Sequence, residues 1–310
     1  MRQTFISLAA ALLFAAISAF AMQARAQAPG AEVCQNCHED NVKHFQSSVH
    51  GQKVAKTPGG AGGCAVCHGD ATEHVKAGGG KGVGIKNPGS KAANADDTNE
   101  LCMGCHKAGS KRTHWDTSTH RERGNSCASC HTMHQPDKVL AKQTQPEVCF
   151  TCHKQQRVEV MRTYRHPIME GKVTCSDCHN PHGSIGRALM KRDSVVETCF
   201  QCHAEKRGPF VHPHDPVTED CALCHNPHGT VTESMLKIRP PFLCHSCHSP
   251  HGALIPSLRG QPGTPAVGTA LSGKGGSNST QGFGCRNCHT QVHGSNNPSA
   301  VPPTPQFQLR

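Results

Sequence analysis

One tryptophan and one tyrosine stand in 310 residues, and aromatic side chains make up only 4% of the chain. So few large apolar groups cannot offset the entropy of ordering the backbone. That excludes an ordinary globular domain built on its own side chains. Beyond the first twenty-odd residues no stretch approaches the roughly 18 apolar residues of a spanning helix. No alternating pattern persists long enough for a sheet, and helices are expected to be short and few. Glycine (31), proline (21) and cysteine (20) take the space instead. Unless something other than protein supplies the core, such a chain stays disordered.

Twenty cysteines are compatible with disulfides, structural zinc or a covalent cofactor. The 24 histidines tilt the choice, since a disulfide framework has no use for them. Every cysteine falls in a Cys-x-x-Cys-His motif: Cys34 and Cys37, Cys64 and Cys67, Cys102 and Cys105, Cys127 and Cys130, Cys149 and Cys152, Cys175 and Cys178, Cys199 and Cys202, Cys221 and Cys224, Cys244 and Cys247, and Cys285 and Cys288. The histidines that follow are His38, His68, His106, His131, His153, His179, His203, His225, His248 and His289. Zinc ribbons share the Cys-x-x-Cys spacing but need no histidine after it. With histidine at about 8% of the chain, ten chance successes have odds on the order of 10⁻¹¹. Covalent attachment of c-type haem does need this order: each thiol adds to a porphyrin vinyl group, and the adjacent imidazole reaches the iron. Ten covalently bound haems are therefore expected, with the ten histidines as proximal ligands.

A second set of histidines repeats with the motifs, which alternate in type. Odd motifs carry Glu two positions upstream (Glu32, Glu100, Glu147, Glu197), with Phe242 in that place in the fifth, and these acids suit the first turn of a short helix. Even motifs lie between two further histidines: His50 and His74, His120 and His134, His166 and His182, His214 and His228, His251 and His293. These ten are the expected distal ligands, though spacing does not say which iron each one serves. Phe45, Trp115 and Met161 precede the first three upstream histidines in one shared pattern and are read as packing on a porphyrin. His44, His114, His212 and His245 are left over and read as surface or propionate-pairing residues, with His212 the nearest rival to His214. An iron held by two histidines is saturated and passes single electrons, whereas an open site does chemistry. The expectation is an electron-transfer protein with no catalytic residues. The repeat unit is a two-haem module, five times over.

The remaining stretches fit around that array. Gly78-Gly79-Gly80-Lys81-Gly82 faintly resembles a phosphate-binding loop, but no hydroxyl residue follows the lysine and no strand precedes it. In Cys178-His179-Asn180-Pro181-His182-Gly183, Pro181 and Gly183 read as turn chemistry. Arg2, the apolar run Phe5 to Phe20 and Ala24-Arg25-Ala26 read as a secretory leader over residues 1–26, cleaved after Ala26. The net charge of +10 drops to +8 without Arg2 and Arg25. Ten haems would add about −20 in propionates and about +10 in ferric iron. The basic side chains are thus partners for propionates, and no nucleic acid is expected.

His74-Val75-Lys76-Ala77-Gly78-Gly79-Gly80-Lys81, the repeated Cys-His-Asn-Pro-His-Gly at Cys178 and Cys224, Lys206-Arg207-Gly208-Pro209-Phe210 and His293-Gly294-Ser295-Asn296 together carry a likeness. Across nearly the whole mature length the chain resembles the periplasmic decahaem cytochromes of the MtrA/DmsE group, including the MtoA and PioA types. The resemblance implies a multihaem cytochrome c fold: elongated, mostly irregular loop with short α-helices, little or no β-sheet, and a staggered line of ten bis-histidine haems as the core. It also implies two pentahaem halves, 27–153 and 154–310, the second with a Gly/Ser/Pro-rich spacer over 253–284. Five modules and two halves disagree at the middle module.

By the same resemblance the protein works in the periplasm, inside an outer-membrane β-barrel porin, between periplasmic or inner-membrane quinol-linked cytochromes and an extracellular cytochrome or Fe(II)/Fe(III). The function implied is extracellular electron transfer, in Fe(II) oxidation or metal reduction. The alternatives are a diffusible periplasmic shuttle or storage cytochrome, and a multihaem oxyanion reductase. Such a reductase would show one deviant motif, and none deviates here.

Overall fold

A computed structural model describes residues 29–54, 63–248, 286 and 289–296. The leader, the spacer, Cys285, Cys288 and His251 lie outside the described residues.

Each described Cys-x-x-Cys spans about one turn, which sets both thiols on one face. The backbone N–H of the motif histidine then bonds the carbonyl of the first cysteine: His131 to Cys127 at 2.9 Å, His153 to Cys149 at 3.0 Å, His179 to Cys175 at 2.9 Å and His248 to Cys244 at 2.8 Å. There the chain commonly leaves helical geometry. His38 kinks the helix Ala31–Ser47 (φ −123, ψ 44), and His179 caps Cys175–Cys178 in extended backbone. The imidazole is thereby turned away from the helix axis beside its two thiols.

The other elements are short, as expected. Helices include Ala95–His106, Gln145–Phe150, Lys154–Glu159 and Val195–Cys199. The described sheet is one antiparallel pair, β1 (His212–Pro213) with β2 (Gly294–Ser295), in register His212 to Ser295. Glu32, Glu147 and Glu197 lie in first turns, where an acid complements the helix dipole. Glu100 does not. Asn94 accepts the N–H of Asp96 at 2.8 Å, so that helix starts early and Asp96 and Asp97 take the first turn.

The apolar core is as small as the composition requires. Phe150, Val160 and Ile168 form its one described cluster, with Val173 against it. Two compact units emerge from the described residues of Met1–Cys102 with Ser126–Asp137, and of Met103–Asn125 with Lys138–Arg310. The second unit contains a local motif twice. Asn180 N–H bonds Leu189 O at 2.7 Å and Lys191 N–H bonds Cys178 O at 2.7 Å; Asn226 to Met235 and Lys237 to Cys224 repeat this, both at 2.9 Å. Each hairpin turns through two non-glycine residues at positive φ: Ala188 (53) with Leu189 (56), and Ser234 (57) with Met235 (58).

Candidate functional site

The eighteen described cysteines are thiols, not disulfides, and are either half-buried or exposed, so they are open to a large planar partner. They also meet in an alternating order. Within a module the first thiols touch: Cys102 with Cys127, Cys199 with Cys221, Cys149 with Cys175, and Cys34 with Cys64 all hydrogen-bond. Burial, with Cys34 alongside, pushes the Cys64 thiol up to about 11. Between modules of the second unit the second thiols are neighbours, Cys178 beside Cys202 and Cys224 beside Cys247. Within these four modules, and from module to module in the second unit, consecutive motifs are therefore adjacent in space as well as in sequence.

The histidines pair by a different rule. Among the described residues, seven pairs set the ring of a motif histidine against the ring of a second histidine from elsewhere in the chain. The centroid separations are 6.3 Å for His38–His74, 5.8 Å for His68–His134, 6.1 Å for His120–His153 and 6.2 Å for His166–His203. They are 6.1 Å for His179–His228, 6.0 Å for His214–His248 and 6.2 Å for His225–His293. Two imidazoles on opposite sides of one iron, each about 2 Å from it, set their ring centres about 6 Å apart. The pairs fit a bis-histidine haem.

What holds each ring is mostly backbone carbonyl. Nδ1 lies 2.8 Å from Lys86 O in His68, 3.0 Å from Val83 O in His74, 2.9 Å from Ala188 O in His179 and 2.8 Å from Ser234 O in His225. Three of the upstream histidines expected as distal ligands reach a later module: His120 to Pro181 O, His166 to Pro227 O and His214 to Val292 O, each at 2.8 Å. A carbonyl only accepts, so Nδ1 carries the proton and Nε2 keeps its lone pair for iron. Electrostatics agree. Burial holds His134 and His228 below the ordinary imidazole range, and carries His293 down to about 4 with help from Lys206.

These contacts explain three features of the chain. Gly79 N–H caps His74 O at 2.9 Å, and at Gly84, φ +59, a Cβ would stand only 2.9 Å from the His74 backbone nitrogen. The glycine run is thus a cradle for His74. In the two hairpins, the strained turn presents the carbonyls of Ala188 and Ser234 to His179 and His225. Gly183 and Gly229 pack against the carbonyls of His114 and Glu159, which leaves no room for a side chain beside His182 and His228.

Of the other expected ligands, His106 ends the helix Ala95–His106 and His50 lies in Val49–Val54. His131 Nδ1 is 2.7 Å from Asp137 Oδ2, His182 meets Trp115 edge-on at 6.3 Å, and His289 is described outside any helix or strand. None of the seven pairs uses His44, His114, His212 or His245; His214, not His212, faces His248. Phe45 and Trp115 are buried against protein, whereas Met161 is 54% exposed, so the shared pattern does not give one shared environment. The carbonyl acceptors escaped sequence reading because a main-chain group has no residue signature.

Comparison with known proteins converges on the same chemistry. A family described as a doubled CXXCH motif matches residues 166–208 and 214–258, and one described as cytochrome c-type protein NrfB-like matches 64–143. The chain is 25% identical to cytochrome c-type protein NrfB of Escherichia coli O6:H1 over 34% of its own length and 65% of that protein. It is 42% identical to multiheme cytochrome MtrA of Shewanella baltica over 275 residues, 87% of this chain and 80% of that one. With covalent c-type haem the cofactor and electron transfer the activity, the chain belongs to the MtrA family of multihaem cytochromes.

Proposed function

We propose that this chain binds ten haems and conducts electrons between the periplasm and the cell exterior, as part of an outer-membrane porin–cytochrome complex. One observation carries the reading: motif histidines face second imidazoles at 5.8 to 6.3 Å, the spacing of a saturated iron. A bis-histidine haem supplies one-electron transfer and no open coordination site. The thiols of each Cys-x-x-Cys-His would anchor it. The axial ligands would be His38 with His74, His68 with His134, His153 with His120, His203 with His166, His179 with His228, His248 with His214, and His225 with His293.

The surroundings support conduction by a membrane-associated partner. Mean hydropathy is −0.51, and an irregular polar backbone cannot face lipid. To carry electrons across an outer membrane it would have to lie in the polar lumen of a β-barrel. Periplasmic or inner-membrane cytochromes would feed one end and an extracellular cytochrome, or Fe(II)/Fe(III) itself, would meet the other. Direction follows from the potentials of those partners, because a conductor has no polarity of its own.

The deciding experiment reconstitutes the holoprotein with its barrel in liposomes, with Fe(II) outside and an oxidised acceptor inside, and then the reverse gradient. Electrons are expected to cross. If none cross in either direction while the haems stay low-spin, the conduit reading fails and a diffusible shuttle remains.

A further inference from the structure

The imidazoles read here as ligands do not all have the same acceptor at Nδ1. Seven of them bond backbone carbonyls at 2.8 to 3.0 Å. Three face a carboxylate: His131 with Asp137 at 2.7 Å, His228 with Glu159 at 3.4 Å, and His203 with Glu205 at 3.7 Å. The three differ in exposure. Asp137 and Glu159 are shielded, at 13% and 9% side-chain exposure, while Glu205 is 59% exposed beside a 53% exposed His203.

A full negative charge beside Nδ1 draws its proton and makes the ring a stronger electron donor through Nε2. Ferric iron gains more from that donation than ferrous iron, so the potential falls. Burial sets how much of the effect survives, because an exposed pair is screened by water and salt. Both shielded acids are also held in place. Asp137 Oδ1 accepts from Thr132 N–H at 3.4 Å, and Glu159 Oε1 accepts from Gln155 Nε2 at 3.2 Å, which leaves the other oxygen for the histidine.

We propose that Asp137 and Glu159 are positioning residues that place the haem held through His131 and the haem held through His179 and His228 at the low-potential end of the array. This rests on reading those histidines as iron ligands. Glu205, by the same geometry, sets nothing and serves as the internal control.

The test uses the full-length holoprotein as wild type, Asp137→Asn, Glu159→Gln and Glu205→Gln, each titrated spectroelectrochemically with haem content and spin state measured in parallel. In each of the first two variants about one tenth of the absorbance change should leave the low-potential foot of the titration and move upward. Asp137→Glu and Glu159→Asp should restore part of the foot, which a merely structural role would not do. Glu205→Gln should overlay the wild type. An unmoved foot in both variants, with haem content and low-spin spectra intact, overturns the inference alone. High-spin iron in the wild type would instead sink the ligand reading beneath it. Should one variant lose haem, the other decides.

Discussion

His120 Nδ1 lies 2.8 Å from the carbonyl of Pro181, 61 residues further along the chain. The same contact joins His166 to Pro227, again 61 residues on. Each proline immediately precedes a downstream histidine expected as a distal ligand, His182 or His228. One Asn-Pro-His-Gly turn therefore meets two of the expected ligands: its carbonyl orients a ring from an earlier module, and its histidine supplies a ring of its own. Asn180 and Asn226 shape the turn by accepting the N–H of His182 and His228 at 3.3 and 3.1 Å.

That turn has no room for a side chain at its last position. Gly183 has φ +108 and Gly229 φ +136, and a Cβ would strike the carbonyl of His114 or of Glu159. Gly183→Ala and Gly229→Ala should each cost about 2–4 kcal/mol, from backbone strain plus steric overlap. Denaturant midpoints followed at the Soret band would check this. An unchanged midpoint in both would mean that the turn yields without consequence.

Ligand pairing across modules makes a counter-intuitive expectation. His166 stands nine residues before Cys175, yet its ring faces His203, whose thiols are Cys199 and Cys202. Replacing His166 by Ala should create one high-spin iron at the Cys199 haem and leave the Cys175 haem low-spin. Electron paramagnetic resonance separates the cases when a second change is added. His203→Met should alter the new high-spin signal, because the two residues share one site, while His179→Met should leave it untouched and disturb a low-spin signal instead.

Much of the site was legible because haem attachment is written locally, in five consecutive residues. The expected distal set rests on the repeat of histidines around the even motifs, with His214 preferred to His212. Pairing was not legible. It joins residues as far apart as His225 and His293, and no local spacing encodes which ring crosses which gap. Glu100 misled because Asn94 caps its helix early, outside the repeated motif. The glycine run at 78–82, set aside as a phosphate loop, shares with one the need for positive φ and bare backbone. Only the bond from His74 to Val83 O shows what the bare backbone approaches.

The strained hairpin offers a test of opposite sign. Ala188 sits at φ +53, which costs an L-residue about 1–2 kcal/mol, while its carbonyl holds His179 at 2.9 Å. Ala188→Gly keeps that carbonyl and relieves the strain. Stability should rise by about 0.5–1 kcal/mol, the gain being partly offset by glycine's greater unfolded-state entropy. Chemical denaturation of matched ferric samples measures it. A loss of stability would show that the Ala188 methyl makes contacts outweighing the strain.

His212 and His214 give the sharpest single comparison. His212 lies in β1 and His214 directly follows it, and composition alone does not separate them. His214 faces His248 at 6.0 Å, and its Nδ1 is fixed by Val292 O. His212 instead pairs through its backbone with Ser295, and its Nε2 is buried with no acceptor or donor among the described residues. His214→Ala should therefore open one iron, seen as a high-spin ferric signal and as new carbon monoxide binding by the reduced protein at about one haem per chain. His212→Ala should do neither, and should cost only the modest stability of a half-buried side chain, about 1 kcal/mol. If the two variants exchanged these outcomes, the assignment of the distal ligand to His214 would be wrong, and with it the register that places His293 opposite His225.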